Sequence, residues 1–316
     1  MMIRSLATLA LAALAILPLA GCSDDETGDP GDTAATLDEL WPNEDGRWWR
    51  YDLRITHSET LFESLTDPDT PLPSLAELRG LMADFAHDAP TETHDRELDA
   101  AFDGDTVTQS GASGQYFTVT NTAALDKPTG KRSGNALLSL LRQARPDLRD
   151  RLPAPDKDYE DKVPFSLSET CWEKTESYIG GYGDLDTELS WLFLKTPLTA
   201  GAGFTMQLVP QLADDIWLRA EIVGQIDWAQ GGTDHPRALE VFTLIDMGVQ
   251  MVLGEDGTPL GEQRTFMCYR TIYAPGVGPV YVHEWRMMKS ESILQDEDSG
   301  LIELEAVLVD TGLPEA

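Results

Sequence analysis

Few residues in this chain stand in spacings that chemistry can use. Asp184-Leu185-Asp186-Thr187-Glu188 alternates three carboxylates over a short stretch, the donor type that calcium takes. Aligned as an EF-hand loop it fails: the sixth position is Leu189 where a glycine must turn, and the twelfth is Lys195 where a bidentate glutamate is needed. What remains at Asp184, Asp186 and Glu188 is a looser site gathering carboxylates from several loops, or a solvated acidic turn. Calcium is the one ion the sequence leaves room for, and no other cofactor is expected. His87 and His94 flank Pro90 among Asp84, Asp88 and Asp95, and the proline breaks the helix that would align the two histidines. His283 and Glu284 are adjacent on a strand-like run, so they point to opposite faces, which argues against an acid–base dyad between them. Cys171 and Cys268 have no histidine close by in sequence, and two thiolates alone do not close a zinc site.

Motifs for nucleophiles and phosphates are missing. Ser110-Gly111-Ala112-Ser113-Gly114 is a small-residue loop, not a nucleophile elbow. Gly130-Lys131-Arg132-Ser133 lacks the upstream glycine of a phosphate loop. Gly201-Ala202-Gly203 and Gly276-Val277-Gly278 lack the third glycine and the following helix of a dinucleotide site. The expectation is a chain that is not an enzyme.

The N-terminus carries the most specific pattern. Arg4 supplies a positive start, and Leu6 to Leu19 is apolar apart from Thr8 and Pro18. That run falls short of the ~20 residues a spanning helix needs. It ends in Leu19-Ala20-Gly21-Cys22, which resembles the lipobox of bacterial lipoproteins. The resemblance implies cleavage after residue 21, diacylglyceryl (and usually a further acyl chain such as palmitate) on Cys22, and a membrane partner through that anchor. Several acyl chains, at ~0.8 kcal/mol per buried CH₂, hold stably where one would be marginal. Residues 22–36 read as a flexible acidic tether, with five acids between Asp24 and Asp32. Ser23 resembles the sorting residue of outer-membrane lipoproteins, and the acidic run resembles a surface-export signal in some bacteria. The face is left open. An exported chain lives in an oxidising space, so Cys171 and Cys268, an even pair, are expected to form a disulfide. Closing so long a loop is worth up to ~4.7 kcal/mol in the chain-entropy model.

Charge narrows the partners. The chain carries 23 basic and 55 acidic residues, a formal net charge of −32, and loss of Arg4 with the leader makes it −33. Such a chain does not seek nucleic acid or anionic lipid through its overall field. A basic stretch from Lys127 through Arg145 to Arg151 runs against the trend and is expected to pair with the acidic body.

The elements that must position any site are mainly strands. Trp49, Tyr51, Leu53 and Ile55 alternate with polar residues, the period of a half-buried strand. About 57–165 reads as a helical insertion. Ser74-Leu75-Ala76-Glu77 is a capping box opening a helix with Leu75, Leu78, Leu81, Met82 and Phe85 on one face. A second helix runs from about Gly134 to Ala144 and stops at Pro146, with Gln115 to Thr120 strand-like between them. Strand signals then recur near 171–178, 187–195, 204–208, 216–226, 238–246, 249–253, 262–273, 280–287 and 301–309, separated by glycine-rich turns. Short strands without helices between them predict a mainly β fold over 37–316, a curved antiparallel sheet or a β-sandwich. The tryptophans 172, 191, 217, 228 and 285 are expected to fill its core, with sugar stacking the alternative for any that stand exposed.

Trp48-Trp49-Arg50-Tyr51 at the opening strand, Pro197…Gly201…Phe204, and Tyr273-Ala274-Pro275-Gly276-Val277-Gly278-Pro279-Val280 together resemble a loose group of β-rich bacterial lipoproteins described as TapB-like. The resemblance implies a β-rich envelope protein and carries no catalytic residues. The functional expectation is a lipid-anchored, non-enzymatic cell-envelope protein that binds a protein partner or an apolar ligand. The alternative is a surface-exposed, calcium-dependent adhesion module.

Overall fold

The computed structural model describes residues 35–58, 65–84, 92–107, 113–121, 136–148, 150–152, 163–167, 170–182, 190–230, 232–253, 259–289 and 299–313. The chain forms two units, Met1–Thr33 and Ala34–Ala316. The leader, Cys22 and most of the tether lie outside the described residues, as do Asp184, Asp186, Glu188 and His87.

Twelve strands make one antiparallel sheet: β1 (Trp48–Ser58), β2 (Glu92–Val107), β3 (Ser113–Asn121), β4 (Thr170–Lys174), β5 (Tyr178–Tyr182), β6 (Ser190–Lys195), β7 (Gly203–Gln207), β8 (Trp217–Gln230), β9 (Thr233–Leu253), β10 (Pro259–Ala274), β11 (Gly278–Lys289) and β12 (Ser299–Gly312). Their order is β6-β5-β4-β3-β2-β1-β12-β11-β10-β9-β8-β7. Every pairing joins sequence neighbours except β1 with β12, which runs antiparallel from Trp48 opposite Gly312 to Ser58 opposite Leu301, with a shift of register between Arg50 and Tyr51. The protein is mainly β, and the sheet curves almost to closure. A single curved sheet, not a sandwich, is therefore the outcome.

Alternation decides which side is inside. Trp49, Tyr51, Leu53 and Ile55 of β1 are buried on the concave face, while Arg50, Asp52 and Arg54 point outward. The same parity puts Leu98, Ala100 and Phe102 of β2, Val241 and Ile245 of β9, and Leu304 and Ala306 of β12 into one core. Polypeptide from outside the sheet fills the concavity. Trp41, just after helix α1 (Leu37–Leu40), stacks on Trp172 of β4 at 4.2 Å and meets Tyr273 of β10 at 6.2 Å. Phe165 lies 5.2 Å from Trp191 of β6 and 6.2 Å from Tyr269 of β10. Both rings thus span the two halves of the sheet. A further helix, Ala136–Ala144, buries Leu137, Leu138, Leu140 and Leu141 in the same core. Its exit is fixed by Arg145, which forks onto both Asp147 oxygens at 2.8 Å and donates to Asp215 at 2.8 Å and to the Met247 carbonyl at 3.0 Å. Arg145 of the basic stretch thus meets Asp215 of the acidic body; Lys127, Lys131, Arg132 and Arg149 lie outside the described residues.

One buried ion pair pins the 163–167 segment. Glu284 and Arg286, two apart on β11, share the concave face. The Arg286 guanidinium donates to Glu284 and, at 2.7 Å, to the Val163 carbonyl; the Glu284 carboxylate accepts the Phe165 N–H at 2.6 Å.

Two local features differ from the reading of the sequence. The described part of 57–165 carries the two expected helices, α2 spanning Leu75–Asp84 and α3 being Ala136–Ala144, but it also supplies β2 and β3 at the heart of the sheet. β2 is hard to see because Glu92, Asp95, Glu97, Asp99 and Asp103 crowd it, and only Leu98, Ala100 and Phe102 mark its inner side. The strands expected at 238–246 and 249–253 are one strand, β9. Gly248 at φ 79° makes an irregularity without ending it, and a Cβ there would sit 2.2 Å from an Asp215 carboxylate oxygen.

Burial holds the Glu284 carboxyl above its ordinary 4.5, with Arg286 pulling the other way. Removing the guanidinium leaves an unpaired buried charge, which costs ~3–5 kcal/mol. We expect Arg286→Met to lose that much in urea unfolding at neutral pH. The folded state then keeps the Glu284 proton more readily than the unfolded state. Its stabilising effect is full below the unfolded pKa and lost as pH rises through the folded one, so the difference from wild type shrinks on acidification toward pH 4.5. A difference that does not change with pH would show that Glu284 is not the group left unpaired.

Candidate functional site

The convex face of β9–β12 carries charge where the neighbouring outward positions are apolar. Phe242, Leu244, Phe266, Cys268, Trp285, Met287 and Leu301 form a cluster under α2, into which the helix inserts Leu78 and Met82. The Ser74 and Glu77 side chains close the capping box that starts this helix, and Ser74 holds the Glu77 carboxyl below the usual range. Leu81, expected on the buried face, is exposed. One step further along the strands, the apolar cluster gives way to Glu240 on β9, Arg270 on β10, His283 on β11, and Glu303 and Glu305 on β12.

These side chains hold one another. Arg270 forks onto Glu240, Nε to Oε1 at 2.9 Å and a terminal nitrogen to Oε2 at 3.1 Å, the planar match that makes such pairs directional. Its guanidinium lies 5.2 Å from the Trp228 ring centroid and 5.9 Å from that of Tyr281. Tyr281 donates its hydroxyl to Glu305 at 3.0 Å, and burial pushes that phenol up. The Nε2 of His283 contacts the Glu303 carboxylate, which also accepts the buried Trp285 indole N–H at 3.3 Å. Arg54 of β1 extends the row to Glu305 at 3.8 Å.

Between this row and α2 opens a cleft of about 270 Å³. Ala76, Gly80 and Ala83 of α2 line its exposed rim, and Arg79 stands at its wall. The floor is Glu240, Phe242, Arg270 and His283. The arrangement can present fixed donors and acceptors to a polar group, and it can hold an imidazole in place for proton transfer. Cys268 does not add a nucleophile: it is fully buried with its sulfur 3.5 Å from that of Met82, and burial pushes its thiol up.

The sites read from the sequence fare differently. His283 and Glu284 do point to opposite faces; the carboxylate beside His283 comes instead from Glu303 on the next strand. Cys171 and Cys268 are both free and buried, so the expected disulfide is absent. They sit on β4 and β10, six places apart in the sheet. Each points away from the concave core, opposite Trp172 on β4 and opposite Met267 and Tyr269 on β10. On a sheet curved this way, such side chains diverge beyond the ~7 Å between Cα atoms that a bridge allows. Burial and the Glu173 charge push the Cys171 thiol up to about 11. Trp172, Trp191 and Trp285 fill cores, whereas Trp217 and Trp228 are half-buried. Among the described residues, no group of three or more metal-ligating side chains converges, and no helix is long and apolar enough to cross a membrane.

By fold the protein is an up-and-down antiparallel β-sheet rolled around Trp41, Phe165 and α3, with α2 and a charged cleft on the outside. No family model, curated protein or solved structure matches the chain.

Thiol titration checks the cysteine placement. We expect Cys171 and Cys268 to resist a thiol reagent in the folded protein and both to react when it is denatured without reductant. If neither reacts on denaturation, the two are bridged.

Proposed function

We propose that this chain is a lipid-anchored cell-envelope protein, held at a membrane through Cys22, whose β body binds a partner in the cleft beneath α2 and is not an enzyme. The observation that carries the reading is the contrast between the two faces of the sheet. Trp41, Phe165 and α3 occupy the concave side, so an apolar ligand there would have to displace the chain's own packing. The cleft on the convex side asks for no such displacement, and its Arg79, Arg270, His283 and Glu240 suit a partner that presents polar groups.

Charge on the outer surface supports a body that stands beside the bilayer. Arg50, Asp52, Arg54, Glu97 and Asp99 point outward from β1 and β2, and a basic side chain in that position costs ~2–4 kcal/mol at a bilayer midplane. Ser23 favours the outer membrane as the address.

A second reading, acid–base chemistry in the cleft, is favoured by one contact: Glu303 holds His283 at the wall, the way a carboxylate orients a catalytic imidazole. The buried Cys268 thiol does not supply its nucleophile.

In its host cell, Cys22→Ala should shift the protein from the membrane fraction to the soluble fraction. A photo-crosslinking residue at position 83 should give a discrete adduct that Arg270→Ala weakens. Equal partitioning of Cys22→Ala and wild type would contradict the anchor. Absence of any adduct would contradict the binding cleft, and turnover of a small ester or amide lost in His283→Gln would favour the second reading instead.

A further inference from the structure

We propose that the convex face of β1–β3 carries a second site, separate from the α2 cleft, that binds a neutral saccharide. A groove of about 260 Å³ lies there, lined by Trp48, Arg50, Asp99, Ala101 and Thr118 with Ala100 beneath. Strand register explains its shape. Trp48 of β1 stands opposite Ala101 of β2, and Ala101 stands opposite Thr118 of β3. Two small residues beside an indole leave a lane with one flat wall, at whose edge the Arg50 guanidinium stands 6.0 Å from the ring centroid.

The wall is held from behind. Gly312 of β12, paired with Trp48 on its other side, packs so closely that a Cβ would sit 3.1 Å from the indole Cζ2. Thr311 Oγ1 donates to the Trp48 carbonyl at 2.8 Å. A larger residue at 312 would push the ring into the groove; glycine lets it lie back.

One step along the strands, Arg50 stands opposite Asp99 at the end of the lane. The Arg50 Nε donates to Asp99 Oδ1 at 2.8 Å and lies 3.4 Å from Glu97. The pair fixes its own geometry, so a ligand does not have to order it. Outside that contact, Asp99 keeps lone pairs to accept with, and Arg50 keeps guanidinium N–H groups to donate with. Both side chains are over a third exposed and within reach of a ligand.

That combination selects a chemical class. A wholly apolar ligand would strip water from Arg50 and Asp99 and return no hydrogen bonds. An anion meets Asp99 and Glu97, which outnumber Arg50 by one charge, and a cation meets the Arg50 guanidinium at the end of the lane. A pyranose ring offers what the lane offers in reverse: a C–H face for the indole, and hydroxyls that each donate and accept toward a carboxylate and a guanidinium.

The test is calorimetric titration of the mature protein with triacetylchitotriose and with maltotriose. At least one should bind saturably, with affinity falling about tenfold or more in Trp48→Ala and in Ala101→Phe, which fills the lane without touching the polar pair. Trp48→Phe should keep part of the affinity, and Arg270→Ala in the other cleft should keep all of it. Both groove residues are half-buried, and unchanged thermal midpoints would show that the variants fold. Failure of both trisaccharides to bind, or binding that survives in Trp48→Ala and Ala101→Phe, overturns the proposal.

Discussion

The pairing of β1 with β12 is the constraint on which the rest of this structure depends. Every other strand contact joins neighbours in sequence, which the chain makes in passing. The β1–β12 ladder closes almost the whole length of the chain and turns two meanders into one sheet. Once joined, a twelve-stranded sheet that curves this far encloses more space than its own side chains fill, and an empty apolar cavity costs stability in proportion to its volume. The chain fills it with Trp41, Phe165 and the leucines of α3. Aromatic rings do most of the spanning because they reach across from one half to the other at 4–6 Å ring separations. The Glu284–Arg286 pair then does what packing alone cannot: it gives the backbone groups of Val163 and Phe165 specific partners, so that the segment enters in one register.

With the inside committed to packing, recognition falls to the convex face. There the cleft under α2 arises from an interruption. Four adjacent strands place a charged or imidazole side chain at outward positions next to an apolar patch that α2 covers. The groups satisfy one another, Arg270 with Glu240 and His283 with Glu303, so a largely buried row of charges carries partners for its members. A cleft built on paired strands is stiff, which suits a surface meant to hold a fixed pattern of donors and acceptors.

Much of the fold is legible in the residues. Period-two alternation marks β1 and nearly every strand after residue 170, and Ser74 with Glu77 announces α2. Where the reading runs short, the reasons are physical. β2 hides because the acids Glu97 and Asp99 stand between its few apolar positions, of which Ala100 is small. β9 reads as two strands because Gly248 interrupts an alternation that the sheet carries through. The expected Cys171–Cys268 bridge rests on counting sulfurs, and counting says nothing of which face each occupies or how far apart two strands end up. The cleft is the least legible part. His283 meets Glu303 from the following strand, and Arg270 meets Trp228 from two strands away. Only register brings these pairs together, and register over long hairpins is not written locally. The visible signal was weaker: isolated charges at Glu240, Arg270 and Glu303 inside otherwise apolar runs.

Native-state hydrogen exchange reaches the central claim most directly, because it asks whether the inner segment belongs to the same cooperative unit as the sheet. The Phe165 amide, bonded to Glu284, should exchange only through the global unfolding that also releases the amides of β1 and β12, with one common free energy and one denaturant dependence. If Phe165 instead exchanges by a low-energy local opening while the β1–β12 ladder stays protected, the filling can leave without the sheet. The concave face would then be a groove that opens, which contradicts a sheet rolled around a permanent filling.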